Sequence, residues 1–350
     1  YPSAKITWAD GVKNPSYWYV ANASTSGFDE IHNNVLSPED NTSGAGNTMI
    51  QKLSKLFNNN DIKASEILTI TDKTANHEYD ASKLTLDLVF ANANNGKQYK
   101  GHDGETYTLS VSSNRKDLIA THGGVSQTIA TLSNETDVND QKITYNPAST
   151  YACELLNYTS HNALNDDAIK AFVTVTAKNK CPMDLATDDA YFTVRFLRPI
   201  NVENADATIE DANTTVKQTI KMHDLVKFTD WRDAWKNNYC AYYGITKIAI
   251  AGVANGQLIS NNPNVKTDQK YDGNGQYTSL ASVNSQVDFK FYDGGGNHDN
   301  AYLEYLNFGS TVHEFHVQIP VDVTYYWGTI RTTVTVKVKR TAGNAKPHNF

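Results

Sequence analysis

The sequence has little of what usually fixes a biochemical class. It contains three cysteines, nine prolines and 20% charged residues in 350 positions. Three cysteines are too few for a disulfide framework. Two interpretations stay open: either Cys153 and Cys181 pair and leave Cys240 over, or all three are buried thiols, a common place for unpaired cysteine.

Long apolar runs and an excess of positive charge are also missing. No stretch reaches the roughly 18 consecutive apolar residues that a membrane-spanning helix needs, so we expect no membrane span. The formal net charge is −7, whereas a nucleic-acid-binding surface needs a basic patch. The sequence therefore argues against nucleic acid as a partner.

Motifs for catalysis and metal binding are absent as well. The sequence has no HExxH, no CxxC, no P-loop, no GxGxxG and no GxSxG nucleophile elbow. A glycoside hydrolase would need two carboxylates on facing strands, and no such pair can be identified from the sequence. We therefore expect no enzyme and no cofactor other than Ca²⁺, and a glycoside hydrolase is the least favoured hypothesis.

What the sequence does contain is typical of β-structure. Tyrosine is abundant, and short runs with alternating apolar residues recur at 83–90, 106–111, 245–253 and 286–292, separated by Gly, Asn and Asp. Helical spacing is confined to 48–57 and to short turns within 221–235. The pattern predicts an all-β protein of tandem immunoglobulin-like or Greek-key β-sandwich modules with one or two short helices.

A weak internal repeat divides the chain. LLNYTS at 155–160 matches YLNFGS at 305–310, and each is followed by a pair of alternating strands, at 171–198 and 315–340. The repeat predicts two modules, at 49–202 and 203–341, with a polar tail at 342–350. Chance similarity is the alternative, because alternating strands resemble one another.

The segment 1–48 precedes the first predicted module. It is rich in Ser, Asn and Gly, so it is either a linker from a preceding module or a strand added to this one. An added strand suggests a further hypothesis, in which this segment is donated to an unpaired sheet edge of a neighbouring copy.

Clusters of aromatic residues are the candidate glycan-binding positions. They fall at Tyr17, Trp18 and Tyr19 and at Trp231 and Trp235. Sugar faces stack on exposed rings, so glycan binding requires exposure. The alternative is that these rings pack in the core, where large aromatic side chains usually lie.

The loop YDGGGNHDN at 292–300 is the candidate metal site. Asp293, Asn297 and Asp299 offer the oxygen ligands that Ca²⁺ prefers, and three glycines allow a tight bend. The spacing of an EF-hand is missing, so a hairpin loop without metal is the alternative.

The second module resembles modules of very large secreted surface proteins of the Bacteroidota. The resemblance lies in IKMHDLVKFTDWRDAW, YYGITKIAIAG and the closing hairpin 317–340, and FTVRFLRPINV at 192–202 is similar. It implies tandem immunoglobulin-like modules outside the cell, in a stalk, surface layer or filament. The partners would be other modules of the same chain, copies of itself or surface glycans. A phage or virion surface protein is an alternative context.

Overall fold

The protein is described by a computed structural model. The described residues are 4–8, 15–20, 49–56, 61–62, 68–72, 84–101, 104–161, 169–177, 182–184, 191–198, 202–209, 218–228, 231–257, 259, 266–271, 276–278, 287–307 and 314–339.

The chain divides into two compact units, with the division between residues 199 and 200. Both units consist mainly of β-strands, which confirms the all-β prediction. The described residues include four short α-helices, more than the one or two expected: α1 (Leu53–Leu56), α2 (Thr150–His161), α3 (Met222–Leu225) and α4 (Tyr239–Tyr243).

Thirteen described strands lie in unit 1. They are β1 (Ala4–Trp8), β2 (Pro15–Tyr19), β3 (Ile50–Lys52), β4 (Leu68–Asp72), β5 (Leu84–Phe90), β6 (Gln98–Lys100), β7 (Thr106–Val111), β8 (Asp117–His122), β9 (Val125–Leu132), β10 (Lys142–Tyr145), β11 (Ile169–Ala177), β12 (Pro182–Asp184) and β13 (Tyr191–Leu197).

Two larger sheets organise unit 1. One is antiparallel, in the order β3-β10-β9-β8-β7-β6. In the other, β5, β12 and β13 all pair antiparallel with β11, and β2 runs parallel to β13. β1 and β4 form a separate antiparallel pair.

Eleven described strands lie in unit 2. They are β14 (Val202–Glu203), β15 (Ala205–Ile209), β16 (Gln218–Lys221), β17 (Lys227–Phe228), β18 (Ile245–Ile250), β19 (Lys266–Tyr271), β20 (Gln276–Thr278), β21 (Val287–Tyr292), β22 (Tyr302–Asn307), β23 (Glu314–Tyr325) and β24 (Gly328–Lys339).

The sheets of unit 2 follow an immunoglobulin-like order. One sheet is β16-β22-β21, and the other contains β18, β23, β24 and β15, with β19 and β20 at the far end of β23. The chain passes from the second sheet (β15) to the first (β16), back to the second (β18 to β20), to the first (β21 and β22) and again to the second (β23 and β24). Repeated crossing between two packed sheets is typical of immunoglobulin-like sandwiches.

The two units share one strand plan. The first strand of each unit pairs with a strand that follows a one-turn helix: β1 pairs with β4, and β14 pairs with β17. The second strand of each unit runs parallel to the closing strand: β2 beside β13, and β15 beside β24. A short strand then leads directly into the one-turn helix (β3 into α1, β16 into α3). Unit 1 differs by its extra strands β6 to β8, which extend one sheet, and by the helix α2, whereas unit 2 contains α4 and, next to β23, the strands β19 and β20.

This plan changes two of the sequence-based boundaries. β1 and β2 supply to unit 1 the strands that β14 and β15 supply to unit 2, so the first module begins before residue 49. The described strands of 1–48 therefore pair within unit 1, β1 with β4 and β2 with β13. β14 lies in unit 2, so the second module begins slightly before residue 203. The tail at 342–350 lies outside the described residues.

The two copies of the sequence repeat have the same structure in the closing hairpins but not in the matching segments LLNYTS and YLNFGS. LLNYTS lies in α2, whereas YLNFGS begins in β22, so these matching letters adopt different structures. The hairpins do correspond, because β13 pairs with β11 as β24 pairs with β23. In the second hairpin, Tyr325 pairs with Gly328, so the turn residues are Tyr326 and Trp327, one residue earlier than expected.

Period-two burial explains the closing strands of unit 2. On β23 and β24 every second residue points into the core, and its side chain is nearly inaccessible: Val317, Ile319, Val321, Val323, Ile330, Val334 and Val336. The intervening Gln318 and Arg331 are exposed. The alternation predicted from sequence is confirmed at these positions, and it places the hairpin as one wall of the unit 2 core.

Candidate functional site

An aromatic stack in unit 2 contains one of the predicted glycan-binding residues. The ring of Trp231 lies 5.5 Å from His223, 5.6 Å from Phe228 and 6.2 Å from Tyr243, with interplanar angles of 14°, 27° and 9°. Tyr239 meets it edge-on at 5.4 Å. Trp231 is half-buried, so part of its ring stays accessible.

Trp235 belongs to the core instead. Its side chain is 4% exposed, stacks on Tyr242 at 4.8 Å and carries the guanidinium of Arg232 over its ring at 5.0 Å. A ring covered in this way offers no face to a sugar. The prediction of Trp235 as a glycan platform is therefore wrong, and the core alternative holds for this residue.

The remaining predicted glycan residues lie in unit 1, on β2. Tyr17, Trp18 and Tyr19 pair through their backbones with Arg195, Phe196 and Leu197 of β13. Their side chains lie outside what the structure describes, so glycan binding there stays a prediction.

The predicted calcium residues cap backbone groups of their own loop and of α4. Oδ1 of Asp293 accepts from the N–H of Gly295 (2.9 Å), and Oδ1 of Asn297 accepts from the N–H of Asp299 (3.2 Å). Oδ1 of Asp299 accepts from the N–H of Cys240 (2.8 Å), the second residue of α4. These bonds support a structural role for the loop.

Gly294 lets this loop turn back on itself. Its φ is +82°, and a Cβ built there would lie 2.2 Å from the backbone oxygen of Asn297. Only glycine fits such a close backbone approach. The glycine run noted in the sequence thus shapes the loop.

Metal and thiol chemistry has no assembled centre in the described part of the chain. No group of three or more His, Cys, Asp or Glu side chains there is arranged to hold a metal ion. Calcium binding by Asp293, Asn297 and Asp299 remains a prediction. Cys153 is a buried thiol on α2, but Cys181 lies outside the described residues, so their pairing also remains a prediction.

Burial governs the ionisable groups around α4. Desolvation, reinforced by the negative charge of Asp299, raises the pKa of the Cys240 thiol well above its usual range. Desolvation also raises the pKa of Tyr239, whose hydroxyl donates to the backbone oxygen of His298 at 3.1 Å. Both groups therefore stay protonated at neutral pH, so Cys240 is a poor nucleophile.

Two clusters in unit 1 escaped the sequence analysis. Tyr99, Tyr107, Tyr151 and His122 pack their rings together, with Tyr99 and Tyr107 stacked at 5.2 Å. A polar cluster joins Lys116, Asp87 and Gln141. No local pattern signals either one, because the members come from separate strands, from loops and, for Tyr151, from α2.

Among the described residues, no helix is both long and apolar enough to cross a membrane.

Comparison with known proteins identifies no family. No family model matches the sequence, and no curated protein is significantly similar to it. Among solved structures, cadherin-like domains 1 to 4 of zebrafish RET match at 8% identity and a TM-score of 0.24, over 97% of this chain and 52% of that one.

Two other solved structures give similar values. An endo-fucoidan hydrolase of glycoside hydrolase family 107 matches at 9% identity and a TM-score of 0.20, over 79% of this chain and 33% of that one. The C-terminal domain of the Streptococcus agalactiae polypeptide BspA matches at 10% identity and a TM-score of 0.19, over 72% and 83%. The chain spans about half or less of the first two. At such TM-scores, these structures carry no argument about function.

Proposed function

We propose that the chain is a non-enzymatic structural or adhesive building block of an extracellular surface assembly, such as a stalk, surface layer or filament. The observation that carries the proposal is the strand plan shared by the two units. Only residues 198–201 separate the closing strand β13 from β14, the first strand of the next unit. Tandem copies of one module with short joints are a construction typical of proteins built as arrays.

The chemistry of the conspicuous residues supports a structural role. Trp235 fills the core, and Asp293, Asn297 and Asp299 cap backbone N–H groups. These four of the predicted site residues therefore make contacts that stabilise the fold. The resemblance to surface proteins of the Bacteroidota favours a bacterial cell surface, and a phage or virion surface is the alternative setting.

Immunogold electron microscopy tests the proposal. An antibody raised against the purified chain should label the outer surface of the cells or particles that produce it. The same antibody preabsorbed with the purified chain serves as the control and should leave no label. Label confined to the cell interior would overturn the proposal.

Glycan binding at Trp231 is the second candidate function. One observation favours it: the ring is held rigidly by His223, Phe228 and Tyr243 yet stays partly accessible. Its Nε1–H donates to Asp233 Oδ1 at 3.1 Å, which fixes the ring further. A glycan array probed with the purified chain should give hits that Trp231→Ala removes. An array without hits would reject this function.

A further inference from the structure

An amine, a carboxylate and a carboxamide meet in unit 1. Nζ of Lys116 donates to Oδ1 of Asp87 at 2.6 Å, and Nε2 of Gln141 donates to the same oxygen at 2.5 Å. Both nitrogens also lie 3.4 Å from the backbone oxygen of Ser133. Because they share two acceptors, the amine of Lys116 and the amide group of Gln141 are direct neighbours.

The two reacting groups are held in place and largely shielded from water, while the Asp87 side chain is 38% exposed. Gln141 is fully buried, and its Oε1 accepts from the backbone N–H of Leu88 at 2.9 Å. The Lys116 side chain is 12% exposed and also donates to the backbone oxygen of Leu88 at 2.8 Å. Each reacting group is thus oriented by at least two hydrogen bonds, which favours intramolecular reaction between them.

We propose that this cluster is a covalent cross-linking site, at which Lys116 and Gln141 form an intramolecular amide bond with release of ammonia. Asp87 would be the catalytic residue, since its Oδ1 contacts both nitrogens. The inference goes beyond the proposed function and does not depend on it.

The reaction balances without any oxidant or cofactor. Asp87 takes a proton from the Lys116 ammonium, which frees the Nζ lone pair to attack Cδ of Gln141. The N–H of Leu88 stabilises the negative charge that develops on Oε1. Asp87 then protonates Nε2, and the Cδ–Nε2 bond breaks. The surplus proton on Nζ leaves with the departing nitrogen, so the products are the new amide, an ammonium ion and the Asp87 carboxylate.

The cross-link would join the starts of β8 and β10, the two strands that flank β9 in one sheet. Lys116 immediately precedes β8, and Gln141 immediately precedes β10, while Asp87 lies on β5 of the other sheet. The catalytic carboxylate therefore reaches the reacting groups only after the two sheets have packed. Cross-linking should accordingly require folding.

Intact-mass spectrometry of the folded, purified chain tests the proposal. The expected mass is lower than the sequence mass by one ammonia, and proteolysis should release one branched peptide that contains both Lys116 and Gln141. Lys116→Arg and Asp87→Ala should each restore the full mass. Lys142→Arg, which changes the lysine next to Gln141, is the matched control and should keep the cross-link.

Two results would overturn the proposal. One is a full sequence mass in wild-type protein whose circular dichroism shows folded β-structure. The other is loss of ammonia without the branched peptide, because succinimide formation at an asparagine also releases ammonia. Both readings come from the wild-type chain, so they do not depend on whether a variant folds.

Discussion

The carboxylate of Asp299 accepts a hydrogen bond from the backbone N–H of Cys240 at 2.8 Å, across 59 positions of sequence. This bond ties the loop between β21 and β22 to the first turn of α4. The turn also holds Tyr239, whose hydroxyl donates to the same loop at His298. The loop and α4 therefore form one structural element.

Replacing Asp299 tests this tie. Asp299→Ala leaves the part-buried N–H of Cys240 without its acceptor, so we expect the free energy of unfolding to fall by about 1–3 kcal/mol. Asp299→Asn retains an acceptor oxygen and should keep most of the stability. Urea unfolding of the three proteins provides the measurement, and an alanine variant as stable as wild type would contradict the assignment.

Two neighbouring glycines make a matched pair. Gly294→Ala places a Cβ 2.2 Å from the oxygen of Asn297 and also strains a backbone with φ of +82°. Gly295→Ala meets no atom within 4 Å, so it suffers only the strain of φ +69°. We expect Gly295→Ala to lower the free energy of unfolding by about 1–2 kcal/mol and Gly294→Ala to lower it clearly more, as measured by urea unfolding. Equal losses would show that the close approach does not exist.

Trp235 and Trp231 should differ in their contribution to stability. Trp235 is buried against Tyr242, so Trp235→Ala should lower the free energy of unfolding by about 3–5 kcal/mol. Trp231 is half-buried, and Trp231→Ala should lower it by less. Denaturant titration followed by circular dichroism compares them. A larger loss for Trp231→Ala than for Trp235→Ala would contradict the burial of Trp235.

The first strands should be necessary for unit 1. Deleting residues 1–20 removes β2, the parallel partner of β13, so amide exchange in β13 should accelerate by about tenfold or more, equal to about 1.4 kcal/mol. The corresponding amides of β24 keep their partner β15 and serve as an internal control. Unchanged exchange in β13 would contradict the pairing.

A longer deletion, of residues 1–48, tests the strand-donation hypothesis. If residues 1–48 link copies of the chain, their removal should abolish self-association, as measured by light scattering. Particles of unchanged size would reject strand donation and leave the pairing of β2 within its own unit as its role.

Alkaline pH should weaken unit 2 through Cys240. The usual pKa of the thiol is 9.0, and burial raises its pKa in the folded protein. Above about pH 9 the unfolded chain releases this proton while the folded chain retains it, so the free energy of unfolding falls as pH rises. Cys240→Ala should make this decline shallower. Stability profiles of wild type and variant that run parallel from about pH 8 to pH 11 would exclude the effect.

Local periodicity explains which parts of the fold could be predicted. Period-two alternation on β23 and β24 was sufficient to predict the hairpin, because one of its faces is buried. The match between LLNYTS and YLNFGS led to a wrong structural equivalence. The helix that contains LLNYTS buries residues at helical spacing (Ala152, Cys153, Leu155 and Leu156), whereas β22 buries every second residue (Leu303 and Tyr305). Similar sequences therefore adopt different secondary structures here.

The candidate sites depend on distant contacts, and these had no local signal. Trp235 is covered by Arg232 and Tyr242, and the sequence does not show that these side chains pack on its ring. Asp299 accepts a hydrogen bond from a backbone N–H of α4, and this use of its carboxylate depends on a contact that is distant in sequence. Lys116, Asp87 and Gln141 meet only when two sheets pack. Residue types can suggest such chemistry, but only the fold decides which groups meet.

The parallel pairing of β15 with β24 has a mechanical consequence. β15 lies near the start of unit 2 and β24 near its end, and the two run side by side from Ala205↔Val334 to Ile209↔Val338. Tension applied to the two ends of the unit would pull these strands in opposite directions along their length. The bridging hydrogen bonds would then resist together in shear, and they would not open one at a time.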